Sequence, residues 1–311
     1  MIAPKIWRIG ASIAPVWFTP DVGCKWFKVC PTAAGGGGCG SQNSNNQPPA
    51  LYGRRGGDSM FGLHPAQSGM FAMNPAQMDC YINGNLGGSK VIFFDPLPPD
   101  VTGIQADKPY WPINMVSLPT NVTKFNLSAT PYSPPFGGQS AIVGGPLITN
   151  PSLSFRRVWY GVEGGGGGGQ IGDQGTPLGY WGLDEPGPDG YVQSWGKQGG
   201  PGGAGYRTGG PGGNGRWGGA GTEAFLDFGI PAANLTGAGG GGAAPSTMPS
   251  LFDFGGTGGA AGAFGEIFMT HIEGQSYFCW AGVGGAGGPA GATGYPGGAG
   301  GHGEVLIEQH F

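Results

Sequence analysis

Residues 282–303 read GVGGAGGPAGATGYPGGAGGHG, and glycine occupies every third position, from 282 through 285 and onward to 303. Ordering glycine costs more chain entropy than ordering any other residue, so glycines kept in phase need a structural reason. A period of three is that of polyproline II-type helices, which rise about 3.1 Å per residue and make no internal hydrogen bonds. Their backbone groups must find partners on neighbouring segments, and glycine lets those segments approach closely.

We expect this stretch to fold back on itself. Run straight, it would span roughly 65 Å at that rise. Collagen shares the period but needs about 15–20% proline, whereas only Pro289 and Pro296 occur here. Residues 199–208 (GGPGGAGYRT) and 209–218 (GGPGGNGRWG) form a ten-residue repeat, with polar and aromatic residues where a reversal would fall. A bundle of short glycine helices is therefore expected, and a set of flexible linkers is the alternative.

The composition indicates a folded protein. Glycine and proline number 72 and 29 of 311 residues, a share typical of low-complexity chains. However, hydrophobic residues make up 38% and charged residues only 10%, with a net charge of −4. There is enough apolar surface for a core and too little charge to hold the chain open. Lysine and arginine are scattered, so no basic stripe predicts nucleic-acid binding.

No apolar run approaches the length of a membrane helix, and the first residues lack the apolar core of a signal peptide. We therefore expect the chain to be made in the cytoplasm. The five cysteines fit neither a disulfide scaffold nor a common zinc pattern. Small buried thiols are favoured over a crosslink involving Cys24 or Cys30.

Strand signals are clear, whereas helical periodicity is almost absent. The predicted strands are 25–30, 79–82, 90–94, 154–160, 266–271, 276–280 and 304–308. The predicted fold class is mainly β, a β-strand framework with glycine-rich polyproline/polyglycine II-type helices and very little α-helix. We predict a β module with a short glycine run at 1–95, a proline-rich connector with short strands at 96–150, and a glycine-rich β/polyglycine II module at 151–311.

Several motifs resemble the glycine-rich domains of tail-fibre and other tail proteins of tailed bacteriophages. The opening motif is WFTPDVGCKWFKVCPTAAGGGG (17–38), with a looser copy, SLSFRRVWYGVEGGGGGG, at 152–169. The closing motifs are EGQSYFCWAGVGGAGG (273–288) and GGAGGHGEVLIEQHF (297–311). Residues 46–150 depart from the family pattern. The resemblance implies a virion protein of the tail, such as a fibre or tip component, that touches the host surface.

Signals for catalysis are poor. The four histidines lack metal-ligand spacing, and neither a G-x-S-x-G elbow nor a phosphate-binding G-x-x-x-x-G-K-[ST] loop occurs. We therefore predict no enzymatic activity and no cofactor. Asp184, Glu185 and Asp189 form a carboxylate cluster in LDEPGPDG (183–190) that could attract calcium. Turn chemistry explains the same residues, so no metal site is predicted.

Aromatic and arginine side chains lie between the glycine runs of the C-terminal third. A glycine helix has no side chains for recognition, so specificity must come from its reversals, and rigid aromatics beside arginine suit a binding surface. The receptor-binding candidates are Tyr180, Trp181, Trp195, Tyr206, Arg207, Arg216 and Trp217. The alternative is that these side chains cap the ends of the bundle.

Three function classes follow. The preferred one is host attachment by a tail component, with other virion tail proteins and a host glycan or outer-membrane protein as partners. The second is a purely architectural virion part at a tail or baseplate junction, and the third is an ice-binding or cell-wall protein. The sequence does not identify the receptor, and it leaves open whether the chain forms a homo-oligomer.

Overall fold

In a computed structural model, two antiparallel β-sheets carry a bundle of glycine-rich segments. The structure describes residues 3–12, 14–41, 51–64, 67–68, 70–73, 78–83, 90–97, 99, 103–119, 121–129, 148–150, 154–169, 180–181, 191–197, 209–216, 229, 231–232, 236–243, 255–291 and 294–311. Among these residues there is no α-helix, and none that could span a membrane. The predicted β-strand framework is confirmed.

The strands are numbered in chain order. They are β1 Lys5–Gly10, β2 Val16–Phe18, β3 Trp26–Thr32, β4 Ser59–Leu63, β5 Gln67–Ser68, β6 Met70–Met73, β7 Met78–Asn83, β8 Val91–Phe93, β9 Pro109–Leu118, β10 Val122–Ser128, β11 Ile148–Asn150, β12 Ser154–Val162, β13 Tyr180–Trp181, β14 Tyr191–Lys197, β15 Phe264–Thr270, β16 Tyr277–Trp280 and β17 Glu304–His310. Each of the seven predicted strands overlaps an observed one: β3, β7, β8, β12, β15, β16 and β17.

The five-stranded sheet has the order β1-β17-β3-β15-β14. The twelve-stranded sheet runs β11-β6-β7-β10-β9-β8-β12-β4-β16-β2, with β5 and β13 also paired to β12. The sheets thus mix residues from the three predicted domains: β3 lies between β17 and β15, and β9 joins β8. The domain boundaries themselves stay a prediction. The two longest strands of the predicted connector, β9 and β10, have ten and seven residues and form a hairpin, so they are longer than the short strands expected.

The main core lies between the two sheets. It combines Phe27 and Ile307 of the five-stranded sheet with Phe61, Trp159 and Tyr277 of the other, all buried. The rings of Phe27 and Tyr277 meet edge to face with centroids 5.2 Å apart. Because aromatic side chains bury large apolar areas, this sandwich is a major source of stability. All five cysteines are free and buried, as the sequence favoured.

Residues 33–41, which we call the central segment, leave β3 and enter the glycine bundle. All nine of their N–H groups donate to backbone carbonyls of three antiparallel segments, with a period of three. Ala34, Gly37 and Gly40 donate to residues 57, 54 and 51, Ala33, Gly36 and Cys39 donate to 263, 260 and 257, and Gly35, Gly38 and Ser41 donate to 301, 298 and 295.

Three parallel segments donate to carbonyls of the same central segment. Residues 165 and 168 donate to Ala34 and Gly37, residues 240 and 243 to Gly36 and Cys39, and residues 285, 288 and 291 to Gly35, Gly38 and Ser41. The central segment therefore has six hydrogen-bonded neighbours. This period of three is the one that the predicted polyglycine II-type helices require, and the helical assignment itself stays a prediction.

The six neighbours, which we call the ring segments, also bond to one another. In order around the centre they are 51–57, 163–169, 255–263, 237–243, 295–303 and 282–291, and each adjacent pair shares backbone hydrogen bonds, including the last with the first. Residues 209–215 bond to the outside of this ring, at 237–243 and 255–263. The ring is closed, and all nine N–H groups and seven of the carbonyls of the central segment bond to the backbone of the ring segments without water.

The phase of the glycines in 282–303 follows from this packing. A Cβ atom added at Gly285 or Gly300 would lie 2.0 Å from the carbonyl oxygen of Arg54 or Gly35. The residues that follow Gly282 and Gly285 are Val283 and Ala286, and their side chains point outward and are exposed. Glycine thus occupies the positions where two backbones touch.

Candidate binding surface at the end of the glycine bundle

The bundle has a free end because of how its segments connect to the strands. The central segment and the ring segments 163–169 and 282–291 follow β3, β12 and β16 outward, and 51–57, 255–263 and 295–303 return into β4, β15 and β17. The described segment ends at residues 41, 51, 243, 255, 291 and 295 therefore lie away from the sandwich. We call this the bundle end.

Ser41 fixes the turn between residues 291 and 295. Its N–H donates to the carbonyl oxygen of Tyr295 at 2.9 Å, and its hydroxyl accepts from the N–H of Tyr295 at 3.0 Å. Its own carbonyl accepts from Gly291 at 3.0 Å. One serine therefore holds both sides of the turn. The sequence shows this turn only as GYPGG, where a large side chain breaks the run of small residues, and Ser41 as the polar residue that ends GGGGCG.

Just inside the bundle end, small side chains link the segments. Thr257, which is buried, accepts from the N–H of Gly169 at 2.8 Å and donates to its carbonyl at 3.1 Å. Cys39 packs with Leu51 and Tyr52, and its Sγ donates to the Leu51 carbonyl at 3.2 Å. Burial raises the pKa of the Cys39 thiol to about 12, so it stays protonated near neutral pH. Hydrogen bonds of Thr257 and Cys39 therefore hold neighbouring segments together just beneath the bundle end.

Of the predicted receptor-binding residues, Arg216 is the one whose side chain is described. It follows residues 209–215, which run towards the sandwich, and so lies at the opposite end of the bundle from the bundle end. Its guanidinium is 10% exposed, bonds to the Glu266 carboxylate at 2.5 Å and lies 5.5 Å from the Phe264 ring. A receptor would have to compete with this ion pair, and the binding role of Arg216 stays a prediction.

Trp195 lies in β14, and its backbone pairs in register with Glu266 of β15. Tyr180 and Trp181 form β13, which pairs with the end of β12 at Val162 and Gly161. Tyr206, Arg207 and Trp217 lie outside the described residues, as do Asp184, Glu185 and Asp189. In the described ranges, no three histidine, cysteine or acidic side chains are grouped as metal ligands.

Comparison with known proteins found no relative: no family model, curated protein or solved structure matches the chain.

Proposed function

We propose that the chain is a structural protein of a bacteriophage tail and that its bundle end contacts the surface of the host cell. The observation that carries the proposal is the closed ring of six segments around residues 33–41, with described segment ends gathered away from the sandwich. Such a bundle is a rigid stem without recognition side chains inside. Binding residues on loops held by a rigid scaffold lose little entropy when a partner arrives.

The sequence motifs support the same proposal. The opening motif at 17–38 contains β3 and the first six residues of the central segment, and the closing motifs contain β16, β17 and most of the ring segments 282–291 and 295–303. The stretches that resemble phage tail proteins therefore contribute the central segment and part of the ring. We propose the bundle end, rather than a catalytic pocket, as the functional part of the molecule.

The proposed partner is a host glycan or an outer-membrane protein. The stretch QNSNNQPPA at 42–50 is rich in amides, which donate and accept hydrogen bonds as sugar hydroxyls require. Tyr206 and Arg207 add an aromatic face and a cation. Aromatic faces stack on sugar rings, and arginine is enriched at the centres of protein interfaces.

The test is a phage whose chain carries Tyr206→Ala with Arg207→Ala, leaving Arg216 in place because of its ion pair. We expect unchanged thermal unfolding of the purified chain and a fall in the adsorption rate of about tenfold or more, as loss of an interface anchor predicts. The matched control is Lys108→Ala with Val116→Ala. The first substitution removes a cation from the loop before β9, and the second removes an apolar side chain from β9.

Two results separate the alternatives. Enzymatic removal of surface glycans from host cells should abolish adsorption if the partner is a glycan and leave it unchanged if the partner is a protein. Normal adsorption by particles that carry both substitutions at 206 and 207 contradicts the receptor assignment. That result would favour the purely architectural tail or baseplate role.

A further inference from the structure

The first 26 residues carry most of the large apolar side chains that the described part of the structure exposes. They are Ile6, Trp7, Val16, Trp17, Val22 and Trp26, whereas the others are Met115, Val116 and Val283. Ile6 is 58% exposed and Trp17 is 47% exposed. Exposed large apolar residues concentrated in one region mark an interaction surface.

This region supplies a free edge to each sheet. β1 ends the five-stranded sheet, and β2 ends the twelve-stranded one. The ring of Trp7 on β1 meets that of Phe18 on β2 edge to face, with centroids 6.2 Å apart. The two edges therefore lie on the same side of the sandwich, which we call the open side. Trp7 lies between the sheets there and is 41% exposed.

A sheet edge is a ready template for another strand. Along the part of the chain that is described, β1 pairs with β17 alone, so no described strand pairs with the backbone donors and acceptors of its other edge. Proteins commonly guard such edges with charged side chains, proline, a bulge or a covering loop. Residues 5–10, KIWRIG, contain no proline and pair with β17 without a register shift, so the charged side chains of Lys5 and Arg8 are the guard that a partner strand has to match.

The charge of β1 itself selects the partner. Residues 5–10 contain two basic residues, Lys5 and Arg8, and no acidic residue, in a chain whose net charge is −4. The side chains of Lys5 and Arg8 are 52% and 62% exposed, with Asp21 and Glu304 as their neighbours at 2.7 Å and 3.9 Å. Two copies meeting through β1 would bring like charges together, which disfavours a second copy as the occupant.

We propose that β1 accepts an extended acidic and apolar segment of another polypeptide as an added strand. Opposite Lys5, Ile6, Trp7 and Arg8, that segment presents an acidic, an apolar, an apolar and an acidic residue. This order reads the same in both directions, so it suits a parallel or an antiparallel strand. The added strand covers Trp7 and supplies carboxylates to the two exposed cations. The proposal does not depend on receptor binding by the bundle end, because it concerns the other end of the molecule.

The test uses the full chain and a fluorescent peptide, Thr-Val-Glu-Ile-Val-Glu-Val-Thr, as the acidic probe. Fluorescence anisotropy should show saturable binding, and a peptide with lysine in place of both glutamates should bind about tenfold or more weakly, as like charges require. Ile6→Glu should weaken binding of the acidic probe by a similar factor. Val116→Glu, which alters a comparably exposed valine on β9, is the matched control and should leave binding unchanged.

Hydrogen exchange on the unmodified chain gives a second measurement that does not depend on a variant folding. The acidic probe should increase protection of backbone amides in residues 5–10 and leave those of 115–118 unchanged. The proposal is overturned by equal binding of the two peptides, by no binding, or by protection elsewhere. Sedimentation showing a dimer that Ile6→Glu dissociates would also overturn it, because the occupant would then be a second copy.

Discussion

Asp58 joins the bundle to the sandwich through a fully buried charge network. Its carboxylate accepts from Arg55 at 2.5 Å, from the N–H of Gly164 at 3.0 Å and from the Trp111 indole at 2.9 Å. The Arg55 and Asp58 side chains are 3% and 0% exposed. We predict that Asp58→Asn lowers the free energy of unfolding by about 3–5 kcal/mol, because it leaves a buried guanidinium without its counter-charge.

The same residue predicts acid sensitivity. Burial alone raises the pKa of the Asp58 carboxyl, but Arg55, Lys90 and the hydrogen bonds outweigh it and hold that pKa below its ordinary 3.8. A lowered pKa in the folded state stabilises the fold fully above the unfolded value, and that stabilisation falls as pH drops through 3.8 towards the folded pKa. Urea unfolding at several pH values should show this loss in the wild type, and Asp58→Asn should show less of it.

The control is the double variant Arg55→Met with Asp58→Asn. Replacing the cation with an apolar side chain of similar length removes the unpaired charge, so we expect part of the lost stability to return. A double variant no more stable than Asp58→Asn would mean that the pair does not explain the loss.

At the scale of the element, the phase of glycine predicts which substitutions a segment tolerates. A Cβ atom at Gly288 would lie 1.8 Å from the carbonyl oxygen of Leu51, so backbone would have to move. We predict that Gly288→Ala lowers the free energy of unfolding by about 3 kcal/mol or more. The matched control is Ala286→Ser, two residues earlier on the exposed side, where urea unfolding should match the wild type. Equal stability of both variants would contradict close backbone packing.

The sequence predicts contact positions within a segment better than it predicts which segment is central. Six neighbours require small residues on all sides, and AAGGGGCGS at 33–41 meets that need. Residues 164–169 are all glycine and meet it equally well, yet they lie in the ring. Segment 282–291 lies in the ring because the side chains of Val283 and Pro289 need space on one side. The choice between equally small segments is made by the strands that they continue.

Strand prediction succeeded where the signal is local and failed for β1 at the beginning of the chain. The sequences of β3, β15 and β17 are apolar or aromatic and are bounded by glycine, so their local pattern was sufficient to predict them. β1 was not predicted, because KIWRIG shows no clean alternation and its pairing depends on Glu304–His310 at the far end of the chain. Likewise, Arg216 was expected at a reversal, but its partner Glu266 belongs to a strand fifty residues later. Non-local pairing of this kind leaves no local signal.

At the scale of the whole molecule, bundle and sandwich should unfold as one unit. The central segment continues β3, three ring segments continue into β4, β15 and β17, and two follow β12 and β16, so loss of either part frees the other. We predict that native-state hydrogen exchange gives the same free energy of opening for amides of Gly35–Gly38 in the bundle and of Val305 and Ile307 in the core. Gly288→Ala, although confined to the bundle, should lower both values equally, because the segments pass directly into the strands. If the core amides keep their wild-type values while those of the central segment fall, the two parts unfold separately and the glycine bundle is an appendage of the sandwich.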